Sequence, residues 1–190
     1  MKIGLFFGSF NPIHVGHLII ANTMATNTDL EQVWFVVSPQ NPFKKNKQLL
    51  NEFDRYDMVE KAIADNLKLK VTDIEFSMPK PSYTIDTLTR LQEKFPQHTF
   101  KLIIGEDNLG QFKNWKNHQA ILDYFGLYVY PRPHAAAHDF ATHPAVQFIQ
   151  APLLDISATF IRECLKNNRS IRYLVPEAVQ SMIARKKFYL

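Results

Sequence analysis

A chain of 190 residues with 46% hydrophobic and 13% aromatic content is long enough to bury one substantial core. Its 22 basic residues against 18 acidic ones leave a formal charge of +4, which suits an anionic ligand, but the cations are scattered and no polybasic arm marks a nucleic-acid partner. One cysteine, Cys164, excludes an intramolecular disulfide framework and a cysteine zinc cluster, and no run reaches the roughly 20 apolar residues of a membrane span, so a soluble protein of a reducing cytoplasm is expected. The apolar start, Met1 to Phe7, is too short for a secretory leader.

In chain order, Ile3 to Phe7 reads as a buried strand that ends at Gly8 and feeds a loop containing Asn11 and Pro12. From Gly16 the apolar residues Leu18, Ile19, Ala21, Met24 and Ala25 follow helical spacing. Val33 to Val37 is a second strand, with a loop from Ser38 through Lys47. Asn51 is a plausible cap for a helix carrying Phe53, Tyr56, Met58, Val59, Ala62 and Ile63, after which Leu67, Leu69 and Val71 alternate as in a strand. Ser82 to Leu91 reads as a helix following Pro79 and Pro81, Phe100 to Ile104 as a strand, and Gly105 as the turn after it. Leu127 to Tyr130 and Val146 to Ile149 are further strands. Ser157 can cap a helix through Ile161 and Leu165, and Pro176 can open a last helix reaching about Lys186. Strands separated by helices predict an α/β fold: a Rossmann-like doubly wound, mostly parallel sheet with helices on both faces and a small C-terminal helical part, as one domain over 1–190. Ligands of such sheets sit beyond the carboxyl ends of the strands, which directs attention to the loops after Phe7, Val37, Ile104 and Ile149.

The loop Gly8-Ser9-Phe10-Asn11-Pro12-Ile13-His14-Val15-Gly16-His17 joins the first strand to the first helix, where backbone N–H groups and the helix dipole favour phosphate. His14 and His17 are three residues apart, so both imidazoles can donate hydrogen bonds to one anion. Zinc is disfavoured, because the spacing is not that of a metalloprotease helix and no glutamate lies between them. Near the other end, Ile156-Ser157-Ala158-Thr159-Phe160-Ile161-Arg162 places two hydroxyls and an arginine at a helix start, a set that can hold the β- and γ-phosphates of a nucleotide. Taken singly, the residues read more simply as a helix cap, a packed histidine and solvated cations. Their order along one chain is what makes them specific.

The first loop resembles the H-x-G-H loop of the nucleotidyltransferase superfamily, and Ile156 to Arg162 resembles the I-S-x-T-x-I-R segment of bacterial nicotinate mononucleotide adenylyltransferases. Pro81 to Leu88 is similar to that family's S-Y-T-x-D-T-L segment, and Ile104 to Leu109 is similar to its I-G-A-D-x-L, with Glu106 where alanine is usual. Phe7, Ser9 and Asn11 stand where the family commonly has Gly, Thr and Asp, and Phe43 stands where the loop before Lys44 has His. The resemblance implies transfer of the adenylyl group of ATP to nicotinate mononucleotide, with Mg2+ accompanying ATP. It implies His14, His17 and Arg162 as catalytic residues and Gly8, Ser9, Phe10, His14, His17, Gly105, Asp107, Ser157, Thr159 and Arg162 around ATP. For the acceptor it implies Lys44, Tyr83, Thr84, Trp115 and Arg132, with Trp115 stacking on the pyridine ring. No metal held by protein residues alone is expected, and no nucleic acid or membrane partner; oligomeric state, a homo-oligomer included, stays open. Nicotinamide mononucleotide is the nearest alternative acceptor, and phosphopantetheine a more distant one.

Overall fold

The computed structural model describes residues 1–40, 49–133 and 139–190. Along the chain run β1 (Lys2–Gly8), α1 (Val15–Asn27), β2 (Gln32–Val37), α2 (Glu52–Ala62), β3 (Leu69–Thr72), α3 (Thr84–Lys94), β4 (Thr99–Gly105), α4 (Glu106–Leu109), α5 (His118–Tyr124), β5 (Leu127–Tyr130), β6 (Val146–Phe148), α6 (Ala158–Lys166) and α7 (Glu177–Lys186), with 3₁₀ turns at Ile74–Ser77 and Phe112–Asn114. The six strands form one sheet in the order 3-2-1-4-5-6, and every neighbouring pair is parallel.

A parallel sheet needs cover on both faces, which is why its strands read as continuous apolar runs and not as an alternation. Phe6, Phe35 and Ile103 point to a core shared with Met24 of α1, Val59 of α2, Ile161 of α6 and Met182 of α7. Ile3, Leu5, Val36, Leu102 and Ile104 point the other way, onto Leu88 and Leu91 of α3 and Ile121 of α5. Gly4 lies on the first of these faces, where an added Cβ would come within 2.6 Å of Ile103 Cδ1 and Leu30 Cδ1. The expected C-terminal helices therefore complete the core over α1 and α2.

Local chemistry sets the helix starts. Asn51 Oδ1 accepts from the Phe53 N–H at 2.9 Å, and Ser157 Oγ from the Phe160 N–H at 3.2 Å, as expected of N-caps. Three expectations shift. Leu67 is 91% exposed, so β3 begins only at Leu69. The helix expected from Ser82 begins at Thr84, because Tyr83 keeps an extended backbone. Gly105 is the last residue of β4 and leads straight into α4. Among the described residues no helix is long and apolar enough to cross a membrane.

Because β1 pairs with β2 on one side and β4 on the other, the chain winds outward in both directions from it. The carboxyl ends of β1 and β4 border the resulting crevice, where ligands of open α/β sheets bind.

Candidate active site

The loop after β1 is held from three directions. Asn11 is buried; its Oδ1 accepts from the Leu50 N–H at 3.3 Å and the Tyr189 hydroxyl at 2.9 Å, and its backbone carbonyl accepts from Arg162 Nη1 at 2.7 Å. Phe10 sits under the histidines in the left-handed region, with φ of 45°. Its ring lies so close to the end of β1 that a Cβ on Gly8 would come within 2.7 Å of it.

Arg55 of α2, which motif reasoning passed over, is fully buried and ties this loop to the one after β2. It donates to the carbonyls of Ser9 at 2.6 Å, Ser38 at 2.8 Å, Leu50 at 2.9 Å and Pro39 at 3.2 Å. Burial lowers its pKa from the usual arginine value.

His14 and His17 stack, with ring centroids 3.7 Å apart and planes inclined by 27°. The His14 backbone N–H donates to His17 Nδ1 at 3.3 Å. That nitrogen is therefore unprotonated in the neutral ring, and the proton sits on Nε2, where it can be donated to a ligand. Burial, reinforced by the Arg132 charge, lowers the His14 pKa to about 4. Burial first, then His14 and Arg132, hold His17 well below the usual imidazole value. Both rings are thus neutral donors near pH 7. The glycine between them has a steric reason: a Cβ on Gly16 would stand 3.0 Å from His14 Nδ1.

The histidines, Arg132, Leu154 and Ile156 line a narrow cleft between the start of α1 and the end of β5. Arg132, expected at the acceptor, thus stands on the histidine side, with Nε 3.7 Å from Asp107 Oδ1 and its guanidinium 5.5 Å from the Tyr130 ring centre. The second motif reaches the first directly. Arg162 spans from Thr159 Oγ1, at 3.2 Å, to the Asn11 carbonyl, while its Nε is buried with no hydrogen-bond partner among the described residues. Ser157 and Thr159 are exposed at the start of α6.

On the other side of Phe6 and Tyr130, which belong to both walls, lies a cavity of about 350 Å³. Tyr83, Thr84 and Trp115, expected around the acceptor, line it together with Gly8 and Gly105, which were expected around ATP, and with Ser38, Glu75 and Lys116, which motif reasoning did not single out. Trp115 rests against Phe112 at 5.4 Å, and Lys116 pairs with Asp86 at 2.8 Å with its Nζ 4.9 Å from the Tyr83 ring centre. Lys44 and Phe43 lie outside the described residues.

A switch-point loop carries two neutral histidine donors and is joined by an arginine to a second helix start, and residues 5–164 match the cytidylyltransferase-like family, which places the chain among the nucleotidyltransferases. The chain is 64% identical over 189 residues to a protein of Cytophaga hutchinsonii described as a probable nicotinate-nucleotide adenylyltransferase, covering 100% of this chain and 98% of that one. A Flavobacterium psychrophilum protein of the same description is 52% identical over 191 residues, covering 100% and 99%. The chain belongs to the nicotinate-nucleotide adenylyltransferase family. Its fold is that of the Plasmodium falciparum nicotinic acid mononucleotide adenylyltransferase complexed with NaAD, with a TM-score of 0.83 at 20% identity over 99% of this chain and 97% of that one.

Proposed function

We propose that the chain is a nicotinate-nucleotide adenylyltransferase of NAD biosynthesis, which transfers the adenylyl group of Mg-ATP to nicotinate mononucleotide and releases pyrophosphate. It would do so in the cytoplasm as one domain over 1–190. The observation that carries this reading is the pair of compartments sharing Phe6 and Tyr130: a narrow cleft with the histidines and a roomier pocket with Trp115. Two nucleotides lying in them would meet at the end of β1.

An oxygen of the acceptor's 5′-phosphate attacks the α-phosphorus of ATP, and the bond from that phosphorus to the pyrophosphate oxygen breaks with its electron pair going to the leaving group. The attacking phosphate is already ionised near pH 7, so no general base and no covalent intermediate are needed. The protein's task is alignment and charge dispersal. His17 Nε2–H and the His14 ring donate toward the α-phosphate, while Ser157, Thr159 and Arg162 face the leaving portion. Mg2+ enters with ATP as part of the substrate. Trp115 offers a flat face for the pyridinium ring, and the first turn of α3 offers backbone N–H groups for its substituent.

The test is pyrophosphate release from Mg-ATP with nicotinate mononucleotide, nicotinamide mononucleotide or phosphopantetheine. The acid nucleotide is expected to support release, and His17→Ala to lower turnover on the order of 10² to 10³. Preference for phosphopantetheine, or normal turnover in His17→Ala, would refute the reading.

A further inference from the structure

The acceptor pocket contains a buried acid that the transfer reaction does not use. Glu75, on the 3₁₀ turn after β3, is 2% exposed and lies in the wall of the pocket beside Ser38, Ser82 and Thr84. Its Oε1 accepts from the Thr87 hydroxyl at 2.7 Å. Its Oε2 is buried and accepts no well-formed hydrogen bond among the described residues, while the Ser38 and Ser82 hydroxyls stand near the carboxyl. Leaving a buried polar atom poorly paired is unfavourable, so a partner supplied by a ligand would recover that loss.

The same end of the pocket is bounded by the first turn of α3, an 11-residue helix preceded by Tyr83, whose side chain makes no capping bond. The Asp86 N–H donates to the Tyr83 carbonyl at 3.0 Å, and the Thr84 and Ile85 N–H groups ahead of it, which have no acceptor within the helix, favour an anion. An anionic ring substituent held there would share this pocket wall with Glu75, whose Oε1 is taken by Thr87, one turn into α3. Charged groups on the surrounding elements are engaged: Asp86 of α3 with Lys116 at 2.8 Å, Arg90 of α3 with Ser77 at 3.2 Å, and Arg55 of α2 with the Ser38 carbonyl at 2.8 Å. Two ionised carboxylates at hydrogen-bond distance, with no cation between them, would repel strongly, whereas a neutral and an ionised carboxyl form a short charge-assisted bond.

We propose that Glu75 sets the choice between acid and amide acceptors: neutral, its Oε2–H donates to the pyridine carboxylate held at the start of α3; ionised, it repels that carboxylate and accepts from a carboxamide NH2. The inference rests on the acceptor assignment made above. Burial raises the Glu75 carboxyl above its usual range, with the Thr87, Ser82 and Ser38 hydroxyls acting the other way, so the neutral form persists to higher pH than in an exposed glutamate.

The experiment measures kcat/KM for nicotinate and nicotinamide mononucleotide with the intact enzyme as pH is raised from about 5.5 to about 9. The acid-to-amide ratio is the readout, because titration of the shared 5′-phosphate and of ATP cancels in it. In the wild type the ratio should fall by about tenfold or more as Glu75 ionises. In Glu75→Gln, an isostere that cannot ionise, it should be independent of pH. In Thr87→Val, which removes the hydroxyl that favours the ionised form, the fall should move to higher pH. Turnover with both nucleotides but a flat wild-type ratio, or an unchanged fall in Glu75→Gln or Thr87→Val, overturns this inference alone. Turnover with neither nucleotide overturns the acceptor assignment and this inference together.

Discussion

Acidification should unfold this protein partly through His14. A histidine whose folded pKa lies below its unfolded value binds fewer protons when folded, so its contribution to stability is fully present above the unfolded pKa and is lost as pH falls through the folded one. Taking His14 from 6.5 to about 4 and integrating from about pH 7 to about pH 5 gives a loss of about 2 kcal/mol from this ring alone. That is a sizeable part of a typical stability of about 5–15 kcal/mol. His17 acts with the same sign, because its pKa is lowered too. Glu75, raised by burial, acts with the opposite sign and is stabilised on acidification. Urea unfolding of wild type and His14→Gln at both pH values measures the contribution of His14 together with its smaller effect on the stacked His17, since burial, the larger cause of the His17 shift, remains in both proteins. The wild type should lose about 2 kcal/mol more than the variant over this interval. Equal losses would show that His14 titrates normally in the folded state, and the neutral-donor assignment would fall with it.

Two further outcomes follow from close contacts. Gly16→Ala would set a methyl 3.0 Å from His14 Nδ1 and 3.2 Å from Cε1, pushing the ring by a few tenths of an ångström. Turnover should drop on the order of tenfold with the melting temperature little changed, and unaltered turnover would refute the steric account of that glycine. Arg55→Met would leave the carbonyls of Ser9, Ser38, Leu50 and Pro39 without this donor, a change that should cost about 3–5 kcal/mol in denaturant unfolding; a loss under about 1 kcal/mol would mean that water replaces the guanidinium without penalty.

The sheet was legible because strands covered on both faces leave continuous apolar runs, and Val33 to Val37 and Leu127 to Tyr130 are such runs. The short segments were not: α4 spans 4 residues and α5 spans 7, too few turns for a helical period to emerge. The two nucleotide motifs were legible because their residues are neighbours in sequence, and Arg162 does join the second to the first through the Asn11 carbonyl. Arg55 was not, since between Asp54 and Asp57 it reads as a solvated helix charge, and its burial is decided by loops up to 46 residues away. Glu75 lacks a local signal of the same kind; Thr87, 12 residues on, and the cavity wall define its setting. Arg132 was read from a local pattern, but its side chain follows Asp107, which places it beside the histidines.

The distribution of charge around the crevice has its own logic. A cation buried at the α-phosphate would grip the ground state of ATP about as firmly as the transition state, and uniform binding of that kind does not speed the chemical step. Neutral imidazoles avoid this: Phe6 and Phe10 set their rings 6.0 Å and 5.1 Å from that of His17, and in the proposed reaction the hydrogen bond that His17 donates would strengthen as charge grows on the transferring oxygens. The full charges stand one step back, with Arg55 spent on four carbonyls, Arg162 on the Asn11 carbonyl and Thr159, and Arg132 at 36% side-chain exposure beside Asp107. In the proposed reaction they would draw in a polyanion and hold the loop that carries the donors, while the imidazoles nearest the reacting phosphorus would act as neutral donors throughout.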